Sequence, residues 1–244
     1  MKGFDLLGGE PWKPLARFGL THPFFNLDYE TIIHTWQILG ISLVLLLAVN
    51  WLIKKKSGVV YFLATSFVNY FSNLCNQTLG SFSFKHFSFI TTIFCFIFSS
   101  NLFAVIPGIE EPTSNINTTL ALGICSFLYI QFYAIKSNGL WAYIKEYFSP
   151  FFLMLPLNIV GKVASVVSLS FRLFGNIFGG LIIAKIYLGV IEGSWLTEII
   201  GTFSGIDLVI TLFFGLFEGF LQAFVFSMLS LTYLSIALQG EGGH

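Results

Sequence analysis

The sequence predicts an all-α, polytopic membrane protein of five or six helices, the last two long and strongly tilted. Three observations lead there. Hydrophobic residues make up 55% of the 244 positions and charged residues only 10%, whereas a soluble domain carries about 25% charged residues. The apolar residues gather into runs long enough to cross a bilayer, which takes about 20 residues of helix, and mean hydropathy is +0.82. The two C-terminal runs exceed what a perpendicular crossing needs. Net charge is zero, so no basic surface points to nucleic acid. Cys75, Cys95 and Cys125 are scattered through apolar stretches without paired spacing. They read as small apolar fillers, with no metal site, disulfide framework or cofactor expected. No phosphate loop is present, which argues against nucleotide binding and against catalysis by this chain itself.

Residues 1–30 include Asp5, Glu10, Pro11 and Pro14 without an apolar core. They read as an external segment and not as a cleavable signal peptide. Residues 31–239 form a single transmembrane domain, followed by a cytoplasmic tail at 240–244. Residues 31–53 contain no Asp, Glu, Lys or Arg and span roughly 34 Å at 1.5 Å per residue. Lys54, Lys55 and Lys56 follow at once, which puts that end in the cytoplasm. Residues 59–84 are interrupted by Asn69, Ser72, Asn73, Asn76 and Gln77. They predict a helix along the cytoplasmic interface or packed on the bundle; read instead as a weak span, they reverse every later orientation.

Residues 87–106 form the next span, ended by Pro107 and Gly108. An acidic, turn-rich loop carries Glu110, Glu111 and Pro112, and Ser114 or Asn115 is placed to cap the span 116–135. Lys136 and Lys145 return the chain to the cytoplasm. Residues 146–157, with Pro150 and Pro156, read as a short interfacial connection. Residues 158–191 then give a helical pattern of about 51 Å, which must tilt or lie partly across the membrane. An outer loop at 192–205 precedes a second overlong helix at 206–238.

Most buried polar groups fall on these last two helices. Arg172 sits mid-run, with no Asp or Glu between Glu146 and Glu192. A guanidinium stays charged at physiological pH, and at mid-membrane depth it costs about 2.5 to 3.5 kcal/mol on insertion scales. Such a residue faces a partner, a cavity or an ion path. Ser165, Ser168, Arg172 and Asn176 share one helix face. On the last helix Glu218 and Gln222 are four residues apart, and Asp207 lies eleven before Glu218, three α-helical turns back on a similar face. Gly175, Gly179 and Gly180, and Gly215 with Gly219, have the spacing that permits close helix approach. Plainer readings stand beside these. Arg172 pairs with Glu218 as a structural tie, Asn176 and Gln222 are ordinary interhelical hydrogen bonders, and Lys162 and Lys185 snorkel to opposite interfaces. Taken together, a fixed cation, a carboxylate and two amides make a polar seam suited to proton transfer.

At these residues the sequence resembles subunit a of the F-type ATP synthase. The stretch Ser168-Leu-Ser-Phe-Arg-Leu-Phe-Gly-Asn176 is similar to that family's central motif. Leu221-Gln-Ala-Phe-Val-Phe226, with Leu231-Thr-Tyr-Leu-Ser235 behind it, is similar to its last helix. Pro107 and the Pro112-Thr-Ser-Asn-Ile-Asn117 loop resemble its external turn, and His22-Pro23 its N-terminal part. The resemblance implies a stator with two aqueous half-channels, packed on the subunit c ring and held with the peripheral stalk subunit b and other synthase subunits. It implies Arg172 as the essential arginine, with Asn176 and Gln222 beside the access path. Ser168, Asp207 and Glu218 are further candidates for the proton path. The expected location is the lipid bilayer of a bacterial inner membrane, with an organelle inner membrane as the alternative. The chain departs from the family in lacking an acidic residue or His near Gly180-Leu181 or at Gly215; Glu218, one turn on, takes that place. It also has Lys162 where many members are acidic, and no Pro after Ser165. The competing functions are an independent ion-coupled secondary transporter, which usually shows internal repeats, and a purely structural membrane subunit.

Overall fold

In hydrocarbon, every backbone N–H and C=O must be bonded within its own segment, and an apolar run meets that demand as a helix. The computed structural model describes residues 11–12, 27–54, 58–103, 112–148, 153, 155–191 and 205–239; the side chains of 11, 12, 27–30, 146, 147 and 207 lie outside that description. The helices are α1 (Tyr29–Ile53), α2 (Val59–Leu79), α3 (Phe84–Phe103), α4 (Ile116–Asn138), α5 (Leu140–Phe148) and α6 (Leu155–Ile191). The C-terminal helix is continuous but built in three pieces: α7 (Ile206–Thr211), a π-helical stretch (Leu212–Glu218) and α8 (Gly219–Gln239). A two-residue antiparallel ladder sets Pro11 opposite Asp28 and Trp12 opposite Leu27. Apart from that ladder the elements are helical, in keeping with the all-α class. Among the described residues five helices are long and apolar enough to cross a membrane: Thr31–Ile53, Phe84–Phe103, Ile116–Asn138, Leu155–Ile191 and Leu208–Gln239.

Helix α8 is the hub, with α3 and α4 packed on it and α6 packed on α4. Lipid gives no hydrophobic drive between helices, so van der Waals fit and hydrogen bonds hold them together. Phe71, Phe94, Ile97, Leu173, Ala223 and Phe226 lie in one buried cluster. The Phe94 ring stands 4.9 Å from Phe71 and, edge to face, 5.9 Å from Phe220. Cys75 is fully buried in this cluster, and burial pushes its thiol pKa up, consistent with a small apolar filler. Gly123 lets α4 meet α6, because a Cβ there would press on Ser170 Oγ and come within 3.3 Å of Val166. Helix α1 is peripheral: Ile38 is buried, while Trp36, Leu43, Val44, Leu46, Leu47 and Trp51 are exposed.

Hydrogen bonds fix which helix ends lie together. The Asn115 side chain accepts from the Asn117 N–H at 2.9 Å, capping α4 as the sequence suggests. Its Nδ2 donates to Thr31 Oγ1 at 3.2 Å, so α1 and α4 start at the same end. At the other end Asn138 Nδ2 donates to the Ala237 carbonyl at 3.0 Å, and Ser235 Oγ donates to the Thr78 carbonyl at 2.6 Å. The last turn of α2 therefore lies where α1, α4 and α8 finish. Since α2 begins a few residues after α1 ends, both its ends are on one side. It runs along the bundle and does not traverse it, with Gly80 in the left-handed conformation (φ +71°) ending it.

Two connections differ from the sequence reading. The interfacial connection expected at 146–157 begins earlier: α5 starts at Leu140, after Gly139 at φ +82° breaks α4. Trp141 and Leu140 are exposed, and Tyr143 Oη donates to Gln131 Oε1 at 2.6 Å. Helix α6 begins at Leu155, three residues sooner than expected, because Pro156 falls in its first turn, where no N–H is needed. Its 37 residues measure about 56 Å. The expected outer loop at 192–205 lies outside the described residues except for Gly205, as do Lys55, Lys56 and residues 104–111.

Candidate functional site

Arg172 lies at the middle of α6 and is exposed. Gly161, Ala164, Ser168, Arg172 and Gly175 are all exposed on one side of the helix. A Cβ added at Gly161, Gly175 or Gly179 would meet nothing within 4 Å. The arginine thus stands on an open strip of small residues, and it makes no ion pair among the described residues. The expected polar stripe divides here. Ser168 stays exposed beside Arg172. Ser165 donates to the Lys162 carbonyl of its own helix at 2.8 Å. Asn176 turns inward to the C-terminal helix.

There Asn176 Nδ2 donates to Glu218 Oε1 at 3.0 Å. Gln222 Nε2 donates to the same oxygen at 3.4 Å. Gln222 is buried, and Glu218 and Asn176 are half-buried. The amide of Asn176, and not the guanidinium of Arg172, is what meets the carboxylate, so the structural tie between Arg172 and Glu218 is not formed. One carboxylate oxygen is held by two amides, while Oε2 has no hydrogen bond among the described residues. Such a carboxyl can take up and release a proton without disturbing its own anchorage.

The π-helical stretch that ends at Glu218 has no counterpart in the sequence reading. Bonding to i+5 adds a residue to the turn, so eleven residues no longer make three turns. The spacing that would put Asp207 on the face of Glu218 fails across Leu212–Glu218. Asp207 sits in the first turn of α7, and its side chain lies outside the described residues. The stretch is gripped from two sides. A Cβ on Gly180 of α6 would come within 2.8 Å of Phe214, and one on Gly219 within 2.6 Å of Asn101 on α3. Gly180 and Gly219 thus serve close approach inside the chain, whereas Gly175 and Gly179 are free to serve it outside.

A second polar region lies between α4, α6 and α8. Gln131, Lys162, Ser165 and Tyr233 line a cleft of about 130 Å³ together with Ser126 and Ser230. The hydroxyls of Ser126 and Ser230 are buried without a hydrogen-bond partner. A space this large beside unpaired hydroxyls suits ordered water. Lys162 Nζ stands 5.1 Å from the centre of the Tyr143 ring, so α5 covers its ammonium, and Lys185 is exposed nearer the other end. Among the described residues no three His, Cys, Asp or Glu side chains gather as a metal would require.

Residues 32–235 match the family described as ATP synthase A chain. A protein named ATP synthase subunit a from Moorella thermoacetica is 31% identical over 87% of this chain and 92% of its own length. Its namesake from Desulforamulus reducens is 35% identical over 90% of this chain and 83% of its own. A protein named ATP synthase subunit a 1 from Chlorobaculum parvum is 32% identical over 85% and 87%.

Proposed function

Since this chain belongs to the ATP synthase A chain family, we propose that it is the proton-conducting stator of an F-type synthase, with Arg172 turned to the subunit c ring. The observation that carries the reading is the exposed Arg172 at mid-helix on an open small-residue strip. That surface fits close packing of a second helical array, and such an array would supply the countercharge that the described residues do not. A ring carboxylate meets both needs.

The chemistry then follows from charge and geometry. Protons reach the ring from one side of the membrane through the seam where Glu218 is held by Asn176 and Gln222. They leave on the other side after rotation. Arg172 stands between the two paths, and its charge favours the ionised carboxylate as each ring subunit passes. No proton crosses without turning the rotor, so a membrane potential worth about 2.3 kcal/mol per charge per 100 mV drives rotation instead of leaking away. The water-suited cleft beside Ser165 lies at the end of the bundle that carries Lys136, which the positive-inside rule assigns to the cytoplasm. The bacterial relatives favour a bacterial inner membrane as the location. Subunit b and the other synthase subunits are the remaining partners on this reading.

Arg172→Ala is expected to abolish ATP-driven pumping in membrane vesicles while the complex still assembles. Arg172→Lys is expected to fail as well, because a desolvated ammonium can lose its proton and a guanidinium does not. Near-native ATP synthesis by the Lys variant would overturn the role given to Arg172.

A further inference from the structure

Backbone bonding changes register one residue after Glu218. Gly219 is the junction, and its N–H reaches the carbonyls of both Phe214 and Leu216. Its own carbonyl accepts from Asn101 Nδ2 at 3.2 Å, a bond from another helix. Asn101 Oδ1 in turn accepts from Thr113 Oγ1 at 3.0 Å. Asn101 is 1% exposed and Thr113 0%, so neither group has water as an alternative. A Cβ on Gly219 would displace Asn101; the contact exists because position 219 is a glycine. A buried amide is costly unless both its ends are engaged. Here both are, one by the loop before α4 and one by the junction itself.

We propose that Asn101 is a positioning residue for proton transfer. Thr113 fixes the orientation of its amide. The amide pins the Gly219 carbonyl, and that junction sets where the neighbouring Glu218 carboxylate meets Asn176 and Gln222. The inference rests on the reading of Glu218 as the proton-exchanging group.

The test uses inverted vesicles carrying the whole synthase. ATP-driven pumping is measured across a range of pH together with the abundance of the subunit. Asn101→Leu is expected to lower pumping on the order of tenfold or more at native abundance, as a displacement of about 1 Å does elsewhere. A protonated Asp offers one O–H and one acceptor oxygen, and so replaces both bonds of the amide; an ionised Asp donates nothing. Pumping by Asn101→Asp, relative to the native chain, therefore rises as pH falls, whereas Asn101→Leu stays uniformly low. Asn101→Leu added to Glu218→Gln brings no further loss, since both act through one group. If Asn101→Leu lowers abundance, Thr113→Val replaces it, and a loss of several-fold at native abundance is expected.

Native-level pumping by these variants beside a defective Glu218→Gln overturns this inference and leaves the Glu218 reading intact. A pH-independent loss in Asn101→Asp that follows subunit abundance makes Asn101 a tie between helices only, and also overturns it. Native-level pumping by Glu218→Gln removes Glu218 from the proton path and this inference with it.

Discussion

Gly179 and Gly180 are neighbours in sequence with opposite duties. A Cβ at Gly180 would meet the Phe214 ring, and one at Gly179 would meet nothing. Gly180→Val is expected to cost about 1 to 3 kcal/mol by overpacking. Thermal unfolding of the solubilised complex reads this as an early loss of the subunit. Gly179→Val is expected to leave the subunit's own fold intact but to weaken copurification with the ring. Equal effects of the two substitutions would contradict the division of surfaces. The spacing of glycines marks close approach in the sequence but not the partner approached, which depends on helix rotation. Arg172, Asn176, Glu218 and Gln222 were legible because polar groups are conspicuous in apolar runs. Asn101 has the same signal, an amide within an apolar run, and passed unnoticed because its partners come from the distant Thr113 and from a backbone carbonyl.

Among the elements, the long helices were legible and the π-helical stretch was not. Leu212, Phe213, Phe214, Leu216 and Phe217 are all apolar, so no polar residue marks a change of phase. A helix that is apolar all round has no periodicity from which to read its winding. Deleting Phe213 removes the residue that widens the turn and lets the stretch close as α-helix. Residues ahead of the deletion then keep roughly their present face, because the lost residue and the lost widening offset each other, while Phe214, inside the stretch, turns relative to α8. The expected outcome is a subunit of near-native abundance in the membrane, with Gln222 and Glu218 in place, whose pumping falls steeply because Phe214 leaves Gly180. Native pumping after the deletion would mean that the π winding has no part in transport. The start of α6 differs from the sequence reading for a simpler reason. Pro156 reads as a breaker in sequence, yet a first-turn proline begins a helix as readily as it ends one.

For the molecule as a whole, a helix α2 with both ends on one side leaves five candidate crossings among the described residues, and an odd number sets Tyr29 and Gln239 on opposite sides. On the proposed orientation, lysines at the ends of α1 and α4 put the C-terminal side in the cytoplasm. Cysteines introduced near Glu111 and Gly193, in a background lacking Cys125, are expected to react with an impermeant reagent from outside. Those near Lys55, Lys136 and Gly242 are expected to react from the cytoplasm. Labelling of Gly242→Cys from outside would mean that α2 crosses after all. The sequence left this point open because α2 mixes apolar and amide residues evenly. The hydrogen bond from Ser235 to Thr78 locates the end of α2 through a partner 157 positions away.

The open strip around Arg172 also bears on the life of the subunit before it is put to work. A chain released into lipid alone presents a cation with no ion pair among the described residues at mid-depth, at a cost of about 2.5 to 3.5 kcal/mol, against a total folding stability of only about 5 to 15 kcal/mol in soluble proteins. The same charge that serves the proposed function would make the unassembled chain frail. On the proposed function, docking on the ring would remove that penalty, and the chain's persistence would depend on that partner being there first. On that reading a single side chain would set the order of assembly.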